Sequence, residues 1–167
     1  MDKKGLSLIE LLGVIAILGI ISTIAFFSFS KLIENSRRDA FASSATNFIE
    51  AARLDAATQN LEDPDLRAFY YVISTIENDT TIQYTAAQSD EQLNIVNPDL
   101  KPANLSSNRK LEIKEGAIKI LFLKDKGAEI YIIQRFSNDV YYIKVGAATM
   151  PLQLPIKREQ VLPINES

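Results

Sequence analysis

The hydrophobic and polar positions divide the chain into two unlike parts. The twenty residues from Leu11 to Ser30 contain no charged side chain. At about 1.5 Å per residue, a helix of that length spans roughly 30 Å, the thickness of the hydrocarbon core of a bilayer. We therefore predict a transmembrane or assembly helix over residues 6–30, followed by a water-soluble domain over residues 31–167.

The helical pattern continues beyond the apolar run, because no Pro or Gly lies between Gly19 and Pro64. Apolar side chains then recur every three or four residues along one side of the helix: Phe41, Ala45, Phe48, Ile49, Ala52 and Ala56. The residues between them are polar, namely Arg38, Asp39, Ser43, Asn47, Glu50 and Asp55. The pattern predicts one helix from about Ser7 to Asn60, roughly 80 Å long, whose amphipathic part (residues 31–60) packs on a domain.

A second helix is predicted over residues 64–77. Asp63 is a good N-cap and Pro64 suits the first helical position. Apolar residues follow at helical spacing, at Leu66, Phe69, Tyr70, Ile73 and Ile76. A strand from Phe69 to Thr75 is the competing prediction, because this stretch is rich in aromatic and β-branched residues.

The rest of the chain predicts an antiparallel sheet. Residues 78–108 are polar and contain Pro98 and Pro102, which indicates a long connection with short strands at most, near Thr81–Tyr84 and Leu93–Val96. Residues 110–147 predict a β-meander, since apolar or alternating runs are separated by turn residues. The runs are Lys110–Lys114, Ala117–Leu123, Glu129–Phe136 and Val140–Val145. The tail, residues 148–167, has three prolines and is expected on the surface or along an edge. The fold class is therefore α+β.

Composition and charge limit the kinds of catalytic site, metal site and partner that the chain can have. The chain has no Cys and no His, which excludes disulfides, thiol nucleophiles, imidazole bases and Cys or His metal sites. No cofactor is expected. Residues 61–99 carry one base and eight acids, whereas residues 100–167 carry eleven bases and seven acids. This asymmetry allows either head-to-tail attraction between copies or two solvated faces of one domain.

The N-terminus carries the most specific motif. Lys3 and Lys4 precede Gly5, which is followed by the apolar Leu6. Four residues later comes Glu10, the only charged residue between Lys4 and Lys31. A carboxylate inside an apolar helix costs about 3 kcal/mol in a membrane unless a partner compensates it. This arrangement resembles the class III signal of type IV pilins and pseudopilins, with a short basic leader (residues 1–5) that ends in Gly.

The resemblance implies a fold and a set of roles. The fold would be type IV pilin-like, with a long helix packed on a small antiparallel sheet. A prepilin peptidase would cleave between Gly5 and Leu6 and methylate Leu6, and Glu10 would set subunit register by pairing with the new amine of a neighbour. Alternatively, Glu10 lies among the lipid headgroups and pairs with Lys3 or Lys4. Gly13 and Gly19 would give the helix flexibility, or else let helices approach closely.

Some residues depart from the family's pattern. Leu6 stands where most members have Phe, and Phe27 stands where many have Pro. The absence of Cys removes the disulfide that staples the C-terminal loop of many pilins, which is a composition associated with Gram-positive members.

The resemblance implies a structural subunit of a type IV pilus or related filament, not an enzyme. The alternative is a pseudopilin of a type II-like secretion or DNA-uptake apparatus. Expected partners are other copies, minor pilins, the prepilin peptidase, the membrane platform with its assembly ATPase, and the bilayer before assembly. The precursor would be a single-pass protein of the cytoplasmic membrane with its N-terminus inside, and the assembled filament would lie at the cell surface.

Other functional classes have weaker support. A conventional secretory signal could be cleaved near Ala25 or Ser30, which would release a soluble domain. An anchored enzyme would have to use groups such as Glu112, Lys114, Tyr131 and Tyr141, whose spacing indicates a sheet surface. DNA binding would need a basic aromatic patch, for which the candidates are Lys119, Lys124, Lys126, Arg135, Lys144, Tyr131, Tyr141 and Tyr142. A solvated sheet face explains the same residues.

Overall fold

The computed structural model describes residues 7–77, 79–103, 105, 112–124, 126–144 and 150–164. The chain divides into two compact units, with the boundary between Arg37 and Arg38. One helix, α1, runs without interruption over Leu8–Glu62. The prediction of a single helix through both the apolar and the amphipathic stretch is therefore confirmed.

In the described part of the second unit, seven strands form one antiparallel sheet. They are β1 (Ala68–Ile76), β2 (Asp79–Ala87), β3 (Lys101–Pro102), β4 (Glu115–Leu123), β5 (Gly127–Ser137), β6 (Tyr141–Ile143) and β7 (Val161–Pro163). Their order across the sheet is β3-β2-β1-β4-β5-β6-β7, so β3 and β7 form the two edges. The α+β prediction, with a type IV pilin-like architecture of one long helix and an antiparallel sheet, is confirmed.

The predicted apolar side of α1 packs on one face of this sheet. All six residues of the predicted stripe are at most 2% exposed. They contact the side chains that β1, β4 and β5 turn to the same side, among them Phe69, Tyr71, Ile118, Ile120, Ile130 and Ile132. Ala residues at one position per turn let the helix approach the sheet closely, while the larger rings of Phe41 and Phe48 fill the space between them.

Aromatic contacts fix where the helix crosses the sheet. Phe41 lies 6.1 Å from Tyr141 of β6, and Phe48 lies 5.7 Å from Phe136 of β5, measured between ring centroids. Phe136 in turn occupies the space beside Gly116, where a Cβ would overlap its ring. The strand register shifts at this point, between Glu115 and Ile118.

Asp55 departs from its predicted place on the solvated side of the helix. Its Oδ2 accepts hydrogen bonds from the Tyr71 hydroxyl at 2.6 Å and from Gln59 Nε2 at 2.7 Å. Tyr71 is fully buried and stacks on Tyr84 of β2. The carboxylate therefore satisfies the one polar group of a core tyrosine and ties α1 to β1.

The predicted helix over residues 64–77 is wrong, since residues Ala68–Ile76 form the strand β1. The competing strand prediction for Phe69–Thr75 is confirmed. β1 pairs with β2 on one side and β4 on the other, and both of its faces are covered, so apolar residues stand at consecutive positions and imitate a helical pattern. Residues Asp63 and Pro64 belong to a turn instead, in which Leu66 N–H donates to Asp63 O.

The connection predicted over residues 78–108 contains more structure than expected. β2 is nine residues long and pairs with β1 along its full length. The segment after it returns over the outer face of the sheet, where Leu93 is buried and Ile95 and Leu100 pack with it against Tyr70 and Ala117. Polar composition concealed β2 because its threonines and glutamine lie near an edge, where alternate side chains face water.

The β-meander predicted over residues 110–147 is confirmed for three of its runs, which correspond to β4, β5 and β6. The first run is wrong as far as it is described, because Ile113 and Lys114 lie outside any strand although Ile113 is buried. Lys110, Leu111 and Val145 lie outside the described residues.

The tail is an edge, as expected, but it is not confined to the surface. β7 pairs with β6, and Ile156 and Val161 are buried in the main core. Ile156 N–H donates to Thr46 Oγ1 at 3.1 Å, and Arg158 donates to Asp39 at 2.7 Å. The prolines are therefore compatible with a packed edge strand but not with a central one.

Candidate functional site

The site indicated by the sequence is the start of α1. Ser7 N–H donates to Glu10 Oε2 at 2.8 Å, and Glu10 N–H donates to Ser7 Oγ at 3.3 Å. These reciprocal bonds form a capping box, in which two side chains satisfy backbone amides that the helix leaves free. The capping box was not predicted from the sequence, although Ser followed three residues later by Glu is its signature.

The capping box leaves hydrogen-bond acceptor positions free on the carboxylate of Glu10. An ionised carboxylate has two oxygens and about four acceptor positions, and within the described residues only Ser7 occupies one. Glu10 is exposed at this point of the helix. Its carboxylate can therefore cap its own helix and also accept a hydrogen bond from an ammonium group outside the chain. Lys3, Lys4, Gly5 and Leu6 lie outside the described residues.

No other part of its own unit packs against the apolar part of α1 in the described residues. Its large hydrophobic side chains from Leu8 to Ile33 are between 49% and 85% exposed. Within the described residues, this is the one helix long and apolar enough to cross a membrane. A helix that is apolar on all sides is stable in lipid or against other chains, not in water.

Polar groups within this stretch are satisfied by the helix itself. Thr23 Oγ1 donates to Gly19 O at 2.9 Å, and the hydroxyls of Ser28 and Ser30 donate in the same way to carbonyls four residues back. These bonds let hydroxyl residues enter an apolar medium at low cost. At Gly13 and Gly19 a Cβ would meet nothing within 4 Å. No contact within the described chain thus requires Gly at either position, and their role in helix flexibility stays a prediction.

The residues considered for an enzyme do not form one site. Tyr141 is buried in the core, next to Phe41. Lys114 pairs with Asp139, whereas the Tyr131 hydroxyl donates to Glu129. The Glu112 carbonyl accepts from Asn138. Tyr141 therefore belongs to the core, and Lys114 and Tyr131 each have a side-chain partner of their own.

The residues considered for DNA binding are also divided. Tyr141 belongs to the core, and Lys119 is largely buried and donates to both oxygens of Asp90 at 2.8 Å. Arg135 instead lies over the ring of Tyr142, with Cζ 4.6 Å from the ring centroid. The eight candidates therefore do not form one continuous basic aromatic patch.

Ionisation is perturbed at four groups outside the apolar helix, each for a structural reason. Burial alone raises the pKa of Tyr70, and the other three groups each have a hydrogen-bonded partner. Burial raises the pKa of Tyr71, and its hydrogen bond to Asp55 raises it further. The hydrogen bond to Glu129 raises the pKa of Tyr131. The hydrogen bond to Asp39 raises the pKa of Arg158. The last three perturbations belong to pairs that hold the fold together.

Among the described residues, no three carboxylates are grouped closely enough to hold a metal ion. The start of α1, where an accessible carboxylate begins a long uncovered apolar helix, is the candidate site on which the sequence motif and the described residues agree.

Comparison with known families agrees with the N-terminal motif. Residues 1–26 match the family described as the prokaryotic N-terminal methylation motif. Comparison with curated proteins and with solved structures gives no match. The matched motif indicates a precursor similar to type IV pilins and pseudopilins, and it suggests a structural protein rather than an enzyme.

Proposed function

We propose that this chain is the precursor of a structural subunit of a type IV pilus or related surface filament. The observation that carries the proposal is the methylation motif over residues 1–26. It is supported by the uncovered apolar part of α1, which continues directly into the helix that packs on the sheet. Such a chain can lie in a membrane and later exchange lipid for other subunits without refolding its sheet domain.

Processing is the first step of the proposed function. The precursor would lie in the cytoplasmic membrane with Lys3 and Lys4 inside. A separate prepilin peptidase would cleave the bond between Gly5 and Leu6 and methylate the amine of Leu6. Gly5 and Leu6 are substrate residues in this scheme, and the catalytic groups belong to the peptidase. Cleavage leaves a positive charge one turn away from Glu10.

Assembly then has to choose one arrangement of helices among several similar ones. Moving an apolar helix from lipid to a bundle of identical helices changes its apolar environment little, so apolar burial alone discriminates poorly between registers. A carboxylate in an apolar environment discriminates strongly, because its energy depends on whether a cation lies beside it. Glu10 of one subunit would accept a hydrogen bond from the amine of Leu6 of another, and this pairing would set the register.

Intact mass spectrometry of the protein extracted from cells tests this proposal. We expect the loss of Met1–Gly5 and a further methyl group on Leu6. Gly5→Ala keeps a small residue and should still be processed, whereas Gly5→Arg should leave the full-length precursor in the membrane. A mature protein that begins near Phe26 or Lys31 would instead show cleavage by a conventional signal peptidase and refute the proposal.

A further inference from the structure

Exposed charges of opposite sign lie at two places on the sheet domain, outside its described ion pairs. Lys114 pairs with Asp139, Lys119 with Asp90, and Arg158 with Asp39. We call two groups of exposed residues without an ion-pair partner in the described chain the acidic edge and the basic edge. The acidic edge comprises Glu62, Asp63, Asp65 and Asp99, and the basic edge comprises Arg135, Lys144 and Lys157.

The acidic edge lies where α1 ends and where β1 and β3 begin, beside the end of β2. Glu62, Asp63 and Asp65 surround the end of α1, whose Asn60 side chain donates to Leu66 O at 2.6 Å. Asp99 lines a groove of about 370 Å³ together with Gln59, Leu66, Tyr84 and Lys101. The nearby bases are Lys101, the half-buried Arg67 and Lys124, which lines a groove with Arg67, so the four carboxylates outnumber them.

The basic edge lies on the opposite side, around β6 and β7. Lys144 N–H donates to Gln160 O at 2.6 Å, and Lys157 N–H donates to the side chain of the same Gln160 at 2.9 Å. Arg135 is held over Tyr142 of β6. Glu159 is the exposed acid among them. These contacts place the backbones of Lys144 and Lys157 beside Gln160 and hold the Arg135 guanidinium on the ring of Tyr142.

These two edges are too far apart to neutralise each other within one molecule. Five strand spacings separate β2 from β7 in the sheet order, which corresponds to roughly 24 Å at about 4.8 Å per strand. Charges farther apart than about 8 Å are largely screened at physiological ionic strength. Neither edge is therefore occupied by the other within one molecule, and each is open to a second body that presents the opposite charge.

We propose that the acidic edge of one copy contacts the basic edge of a neighbouring copy, in a side-to-side interface of the sheet domains. A second copy fits because it presents the required charge on its other side. A contact between two different surfaces of the same molecule is heterologous, and such contacts generate open helical filaments when the rotation does not close. The complementary edges would favour the correct orientation during association and add many weak exposed pairs. This inference rests on the proposed filament function.

Charge reversal tests the interface in cells that make the full-length protein. Glu62→Lys with Asp99→Lys reverses part of the acidic edge, and Lys144→Glu with Lys157→Glu reverses part of the basic edge. We expect each double variant to be processed normally and to form at least about tenfold fewer filaments, counted by electron microscopy. Combining all four changes restores opposite charges across the interface and should bring the filament number back to within about twofold of wild type.

Two further variants make the result specific. Lys124→Glu with Lys126→Glu makes the same change of net charge as the basic-edge reversal, but at the turn between β4 and β5, outside the basic edge, and should not lower the filament number. Glu62→Gln with Asp99→Asn removes negative charge without adding positive charge, and it replaces the reversal variant if that variant fails to fold. We expect the neutral variant to form about threefold fewer filaments than wild type.

The outcomes separate this interface from the proposed function. Normal filaments in both single-edge reversal variants, or no recovery in the combined variant, would overturn the interface while leaving the filament function intact. A wild-type protein that is neither processed nor found in filaments would instead remove the proposed function on which the interface depends.

Discussion

Replacing Phe48 with Ala tests how the helix is held to the sheet. Phe48 is 2% exposed and packs edge to face against Phe136, 5.7 Å away. Truncating a fully buried Phe costs about 3–5 kcal/mol, through lost apolar burial and the cavity that remains. Natural domains have only about 5–15 kcal/mol of stability, so this change removes a large share of it. For a domain of this size, the melting temperature should fall by about 10 °C or more.

The assay is chemical and thermal unfolding of a shortened protein that begins at Lys31, followed by circular dichroism. This protein lacks the uncovered apolar residues and should be folded and monomeric. Leu54→Ala is the matched control, because Leu54 lies on the same helix but is 71% exposed; its effect should stay within about 0.5 kcal/mol. If Phe48→Ala were no more destabilising than Leu54→Ala, the apolar stripe would not pack on its own sheet, and its contacts would have to be with other subunits.

Three further changes test separate parts of the structure. Gly116→Ala should destabilise the shortened protein by about 1–3 kcal/mol, because the added Cβ overlaps Phe136; its effect should be smaller when Phe136 is replaced by Leu. Tyr71→Phe should lower stability at pH 8, and its difference from wild type should shrink above pH 10 by about 1.4 kcal/mol per pH unit. Glu10→Gln and Glu10→Val should both leave processed protein in the membrane with few filaments, whereas Ser7→Ala should assemble.

Controls and contrary results differ among these three. An additive effect of Gly116→Ala in the Phe136→Leu background would mean that the two positions do not compete for space. For Tyr71, burial raises the folded pKa, so its stabilisation is complete below the unfolded pKa of about 10 and is lost as the pH rises; a constant difference up to pH 11 would contradict this. For Glu10, Gln preserves a capping acceptor without charge, so normal filaments in Glu10→Gln would assign Glu10 to helix capping rather than to register.

Much of the helix was predictable because its signals are local. Glu10, the uncharged run that follows and the stripe from Phe41 to Ala56 each depend on residues close together in the sequence. The long helix and its buried side were therefore predicted to within a few residues. The Ser7 cap was equally local and was simply overlooked.

The sheet was less predictable because its stability comes from partners distant in the sequence. Residues Ala68–Ile76 form a central strand only because β2 and β4 pair with both sides of it and the segment with Leu93 covers its outer face. Asp55 likewise gains its role from Tyr71, sixteen residues later. The separation of charge into two edges depends on the strand order, which no local pattern specifies.

Immunogold electron microscopy of sheared surface fractions, with an antibody against the sheet domain, shows whether this chain builds a filament. We predict filaments labelled along their length in cells with the wild-type protein, and none in cells with Gly5→Arg, where the precursor stays in the membrane. If the sheet domain were found only as a soluble monomer in the medium, and no filament were labelled, the chain would not be a filament subunit.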